Sequence, residues 1–269
     1  MTFKLLAPIA LLLGSIFLLL AGSRKDPIAD VTVILENFGS QQISRQWYGG
    51  ETFCAFGSDD NTTATLSEFL AVLNQAYDSD FKLVTASAAQ SCPDYTSIYV
   101  MISPPVSAGE LADILEAQAG SRPPISEMNL TGLRGFALQI PGNRRREFIY
   151  VDSTVPSVSN NSDPVRSILL EEVVHALTTL GDFDSAKILS VLGKNLDVDH
   201  YDEWFEKNPS GLCLADLYLL EMMIGQTVGD QFTTQPPLAW LADQAGALGT
   251  LIEGIKPQLT PFMDARCVG

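Results

Sequence analysis

The sequence predicts an α+β fold, with a small mixed sheet and its helices in the first half of the chain and a helical second half. Segments rich in β-branched and aromatic residues cluster before residue 152, and the strong apolar patterns beyond residue 164 have helical spacing. With 46% hydrophobic and 18% charged residues over 269 positions, the chain can bury one or two compact cores. The same figures exclude a disordered polymer, a collagen and a polytopic membrane protein.

Ahead of the fold, Leu5 to Gly22 is apolar or small throughout, behind a single positive side chain, Lys4. As a helix it would span roughly 27 Å, close to the hydrocarbon thickness of a bilayer, so it reads as an export segment, either cleaved or kept as an anchor. Ala21, Gly22 and Ser23 favour cleavage after Ser23, although Arg24 and Lys25 follow at once and weaken the charge bias that orients such segments. Ser23 stands where a lipoprotein would carry its lipidated Cys, so no lipid anchor is expected. The expected location is periplasmic or extracellular, with membrane contact only through residues 5–22. Much of the positive mean hydropathy, +0.15, comes from this segment.

The first strands are expected at Val31 to Leu35 and Gln46 to Phe56, the second ending in a turn cluster at Gly57 to Asn61. Thr65 to Ala76 places Leu66, Phe69, Leu70 and Leu73 on one helical face, and Thr65 with Glu68 has the spacing of a capping box. Strands follow at Phe81 to Thr85 and Ser97 to Ile102. Ser107 with Glu110 forms a second capping box, opening a helix to Gln118 that Gly120 stops. After a loop at 121–135, Phe136 to Ile140 and Glu147 to Val151 flank a tip carrying Arg144, Arg145 and Arg146, which reads as a hairpin with a solvated basic turn. Ser153 to Pro164 is a polar linker, and helices are expected near 165–180, 185–192, 211–224 and 237–254. This divides the chain into the segment 1–23, a domain over 30–230, and a C-terminal helical extension, 231–269, packed on the same domain.

Four cysteines, Cys54, Cys92, Cys213 and Cys267, suit an oxidising compartment. Three pairings exist, and the local one, Cys54 with Cys92 and Cys213 with Cys267, is favoured. No CxxC is present, which argues against a thiolate zinc site or a thioredoxin-type motif. The formal charge of −16 repels phosphate backbones, so no nucleic-acid partner is expected. Sequons at Asn61, Asn129 and Asn160 carry no weight behind a bacterial-looking export signal.

Chemistry concentrates in Glu171-Glu172-Val173-Val174-His175. In the metallopeptidase pattern H-E-x-x-H, two histidines one helical turn apart hold zinc and the glutamate between them polarises the attacking water. Here His175 keeps the second position and Glu172 the base position, while Glu171 replaces the first histidine. A carboxylate also binds zinc, so Glu171 and His175 remain a candidate ligand pair. Around the helix, Leu169, Leu170, Val173, Val174, Ala176, Leu177 and Leu180 share one arc, and Glu171, Glu172, His175, Thr178 and Thr179 share the other. Such an arc suits a catalytic face or an ordinary wet one.

With Gly181-Asp182 after it and the later segment Gly211 to Gly225, this helix resembles a family of exported bacterial proteins of unknown function. Its members carry a zincin-like E-E-x-x-Q helix, then A-L-G and an Asp, and later L-x-x-x-D-x-x-L-L-x-x-L-Y. The matching residues here are Glu171, Glu172, Ala176, Leu177, Asp182, Asp216 and Leu219-Leu220. His175 departs from the family's Gln, Thr178 from its Gly, and Met223-Ile224 from its final L-Y. The resemblance spans roughly residues 30 to 230 and implies a fold similar to minimal gluzincin metalloproteases, with a metal site often lost.

A third ligand would then come from the later helix, where Asp216 and Glu221 are the candidates. Five residues apart, they differ by about 140° around a helix, so at most one faces His175. The other histidine, His200, sits in an acidic stretch, Asp197 to Glu203, that lacks the glycine of a calcium loop and reads as solvated surface. Serine-hydrolase, Walker and dinucleotide motifs are absent. The expected function is a catalytically degenerate, zincin-like protein that binds a peptide or protein partner in the envelope. The alternatives are a working zinc hydrolase with Glu172 as base, and a structural envelope protein with no site on this helix.

Overall fold

The structure, a computed structural model, describes residues 26–38, 47, 50–57, 60–119, 134–140, 145–158, 161, 163–184, 188–194, 201–225 and 236–268. The segment read as an export signal, the loop at 121–133, the arginine at 144 and His200 fall outside these residues. Among the described residues no helix is long and apolar enough to cross a membrane.

The chain opens with a helix, α1 (Pro27–Asn37), where β-branched residues predicted a strand. Asp26 accepts from the backbone N–H of Ile28 and Pro27 takes the first helical position, so the start signal overrides the propensity of Val31 to Leu35. Val31, Ile34 and Leu35 then share the buried face. Strand β1 (Thr52–Phe56) is shorter than expected. Helix α2 (Asp60–Tyr77) starts a turn before the predicted cap, and Thr65 instead donates to the carbonyl of Asn61 inside the helix. Strands β2 (Lys82–Thr85) and β3 (Ile98–Ser103) follow, then α3 (Ala108–Ala119), whose capping box is present. There Ser107 donates its N–H to Glu110 Oε2 at 2.9 Å, and the N–H of Glu110 donates to Ser107 Oγ at 3.2 Å.

The hairpin forms as β4 (Gly135–Ile140) and β5 (Arg146–Asp152). The sheet order is β2-β1-β3-β5-β4, parallel except for β4, which runs antiparallel along the edge. Alternate side chains feed two cores. Phe53, Ala55, Val100, Ile149 and Val151 face the large helical layer, while Cys54, Phe56, Tyr99, Phe148 and Tyr150 meet Leu111 and Leu115 of α3.

The helical layer contains α4 (Pro164–Thr178), α6 (Leu214–Ile224) and α7 (Pro237–Leu259), with a short α5 (Tyr201–Lys207) in the stretch read as a surface loop. The fold is therefore α+β, as expected. The helix predicted at 185–192 is not seen in its described part: 188–192 is irregular and runs into a two-residue parallel pair, β6 (Phe183–Asp184) with β7 (Gly193–Lys194). Helix α4 lies between the β4–β5 edge and the helices α2 and α6, and α7 packs on α1, α2 and α6. Both favoured disulfides are present, Cys54–Cys92 and Cys213–Cys267, a pattern that fits an exported protein. The second ties the N-cap of α6 to the C-terminal tail.

Candidate metal centre

Asp163 caps α4 by accepting from the N–H of Arg166 at 3.0 Å, and Pro164 occupies the first position. The expected wet face is largely dry. Glu172 and His175 are 5% and 9% exposed, and Thr178 is fully buried. The reason is tertiary: β4 and β5 pack along α4, with Gly135 of β4 against Glu172, and the chain returning through Leu180 and Asp182 meets His175. Gly135 of β4 allows the close approach, since a Cβ there would collide with Ile168 Cγ2 and sit 2.9 Å from Glu172 Oε1.

The last turn of α4 builds the site. Thr179 adopts the left-handed conformation at φ 60° and donates its N–H to the carbonyl of His175, turning the chain back on the helix. Trp47 Nε1 and Thr178 Oγ1 donate to the carbonyls of Ala176 and Val174, so these helix-end acceptors are satisfied. The reversal brings the carbonyl of Leu180 to 2.6 Å from His175 Nδ1, and Asp182 Oδ1 to 3.2 Å from Nε2. Glu171 Oε1, one helical turn earlier, lies 3.9 Å from the same Nε2. A carbonyl only accepts, so Nδ1 carries the proton facing Leu180, and Nε2 is the atom turned toward the two carboxylates.

One atom each from Glu171, His175 and Asp182 lie within 4.8 Å of one another, a group of donors able to hold a metal ion. Tetrahedral bonds of about 2.1 Å put ligand atoms ~3.4 Å apart, so Asp182 is already placed and Glu171 needs only a small side-chain movement. The set is not specific to zinc: an imidazole and two carboxylates suit several divalent transition metals. Without an ion, burial pushes the His175 imidazole pKa down, but hydrogen bonds to Asp182 and Glu171 and the negative field of Glu172 and Asp182 outweigh it. The balance holds the pKa well above the usual histidine value.

The structure brings Asp182 to His175 where the sequence pointed to Asp216 or Glu221. Among the described residues, neither of those two belongs to the group. Asp216 is fully buried in the first turn of α6, where its carboxylate accepts from the N–H groups of Cys213 and Val191 and from the hydroxyl of Ser190. Glu221 is also buried, folded back against the backbone of Gly225, where a Cβ would collide with its carboxyl group. After burial itself, these two carboxylates are what push the Tyr77 phenol pKa well up. Glu172, the expected base, is adjacent to Glu171 but faces Gly135 of β4. In the sequence Asp182 stands only among the residues carrying the family resemblance, seven positions past His175 and just beyond the helix end, and not among the ligand candidates. It needed the left-handed turn at Thr179, which no glycine announces. No protein-family model and no curated protein matches this chain.

Proposed function

We propose that this is an exported, zincin-like binding protein that holds a divalent transition-metal ion at Glu171, His175 and Asp182 and engages a peptide or protein partner without cleaving it. The observation that carries the metal reading is His175: Nδ1 is committed to the Leu180 carbonyl while Nε2 meets two carboxylates. Ligating histidines are commonly oriented in this way, by a hydrogen bond from the nitrogen that does not bind. The two disulfides support export, and a periplasmic or extracellular location with removal or retention of residues 1–23 belongs to the same proposal. The partner would lie along β4, the edge strand beside the site, which pairs with β5 alone among the described residues. Extended peptides recognise such edges through main-chain hydrogen bonds.

The donor set argues against hydrolysis. Two carboxylates neutralise a divalent ion, whereas the two neutral histidines and one carboxylate of a standard site leave net positive charge to acidify water. A second reading, a working zinc hydrolase, is favoured by one observation, the buried Glu172 carboxylate next to Glu171 and three residues before His175 on α4. Elemental analysis of the purified protein after zinc loading tests the proposal. About one equivalent of metal, lost in His175→Ala and in Asp182→Ala, is the expected result, together with no cleavage of a mixed peptide library. Metal absent from the wild type overturns the site, and cleavage abolished by Glu172→Gln overturns the binding role in favour of the hydrolase.

A further inference from the structure

The Asp182 loop is held at both ends. Leu180, two residues before Asp182, is fixed by its carbonyl on His175 Nδ1. Immediately after Asp182 comes β6, whose Phe183 and Asp184 pair with Gly193 and Lys194 of β7. What precedes β7 is a tight turn assembled on one carboxylate. Asp216 Oδ2 accepts from the N–H of Cys213 at 2.7 Å and from that of Val191 at 3.1 Å, while Oδ1 accepts from Ser190 Oγ. Ser190 Oγ in turn accepts from the N–H of Leu192 at 3.1 Å, and the Ser190 carbonyl accepts from the N–H of Gly193 at 3.1 Å. A single buried aspartate thus ties the start of α6 to the turn that sets β7, and β7 sets β6.

We infer that Asp216 is a positioning residue for the metal centre. It holds Asp182 at His175 through Ser190, Val191 and the β7–β6 pair, without touching the ion. The inference rests on the reading of Glu171, His175 and Asp182 as a cation site, and it gives a role to the acidic residue that the sequence offered as a ligand. A carboxylate suits this role because it accepts several hydrogen bonds at once, and Asn at the same position would bring an NH2 group against backbone N–H donors. Outer residues that orient metal ligands typically change affinity by about ten- to a hundredfold.

The test uses the full-length protein and three variants, Asp216→Asn, Ser190→Ala and Asp182→Asn. Ser190→Ala removes one arm of the turn and leaves the carboxylate in place, so it serves if Asp216→Asn fails to fold. Hydrogen exchange of the metal-free proteins is expected to be at least about tenfold faster across 182–194 in Ser190→Ala, with α4 unchanged, because a local opening exchanges independently of the core. Co2+ is expected to bind that variant about ten- to a hundredfold more weakly than wild type, with an altered visible spectrum that a loss of global stability alone would not produce. Asp182→Asn should lose Co2+ while exchange at 190–194 stays as in wild type. Unchanged exchange across 182–194 in Ser190→Ala overturns the coupling, and an unchanged Co2+ affinity and spectrum overturns the positioning role. Absence of Co2+ binding by the wild type overturns the metal reading itself, and with it the role of Asp216 toward an ion.

Discussion

Asp182, just past the C-terminal end of α4, and Asp216, in the first turn of α6, are both aspartates at helix ends, yet their surroundings give them opposite chemistry. Asp216 has no exposed surface and spends its oxygens on backbone N–H groups and a serine hydroxyl. Asp182 has a side chain 44% exposed and directs an oxygen at an imidazole. A carboxylate saturated by fixed donors stabilises the fold and has little left for a cation, whereas one facing an imidazole nitrogen and a second carboxylate can share an ion with them. The C-terminal tail repeats the first pattern: Asp264 accepts from Ser210 and from the guanidinium of Arg266, which also donates to the carbonyls of Glu206 and Asn208.

Breaking the saturated side should cost the most stability. Replacing Cys213 and Cys267 by Ser opens a loop closed over 54 residues, and the chain-entropy model puts the loss at about 4 kcal/mol. Urea unfolding of the double variant measures it, and a change below about 1 kcal/mol would mean that the tail is held by its noncovalent contacts, the Asp264–Arg266 hydrogen bonds and the Leu212 backbone bonds to Phe262 and Asp264 among them. The wall between sheet and α4 comes next. In Gly135→Ala the new methyl meets Ile168 and the Glu172 carboxyl group, an overpacking expected to cost roughly 1–3 kcal/mol and readable as a lowered melting temperature.

Acid sharpens the contrast by titrating one carboxylate against another. At Asp264 burial alone would raise the pKa, but the hydrogen bonds from Arg266 and Ser210 outweigh it and bring the carboxyl down to about 2 from 3.8. Its stabilisation is present above 3.8 and is lost as pH falls through about 2; the shift corresponds to on the order of 2 kcal/mol. Glu147 behaves oppositely. Burial raises its carboxyl to about 7 from 4.5 against the pull of Arg145, so its contribution is full below 4.5 and is lost as pH rises through about 7. Urea titrations of Asp264→Asn and Glu147→Gln should therefore flatten the stability curve in two separate pH windows. At the candidate metal centre the sharper readout is metal rather than stability. Asp182→Ala takes the hydrogen-bond partner from Nε2 of the buried His175 and is expected to lower unfolding free energy by about 1–3 kcal/mol while abolishing stoichiometric metal, both measured on the same preparation.

Much of the architecture was legible in order and type. The hairpin, the capping box at Ser107, strands β2 and β3, helices α4, α6 and α7 and both disulfides fall where spacing and caps put them. The misses share a cause, which is that local pattern was weighed without the neighbour that decides it. Val31 to Leu35 reads as a strand until Asp26 and Pro27 start a helix whose apolar face packs on α6 and α7. The stretch 188–192 lost its predicted helix to the hydrogen bonds of Asp216, a residue some 25 positions away.

For the site, the helix and two of its donors, Glu171 and His175, were readable because i and i+4 positions share a helix face whatever surrounds them. The sequence by itself determined that pair and the mixed order of strands and helices, which follow from short-range geometry, and it narrowed the cysteines to three pairings, of which the structure holds the favoured one. The tertiary structure alone decided which aspartate meets His175 and that Glu172 lies under β4. Both depend on groups brought together across the fold, since a left-handed turn without glycine and a carboxylate consumed by a distant turn leave no periodic trace in the chain.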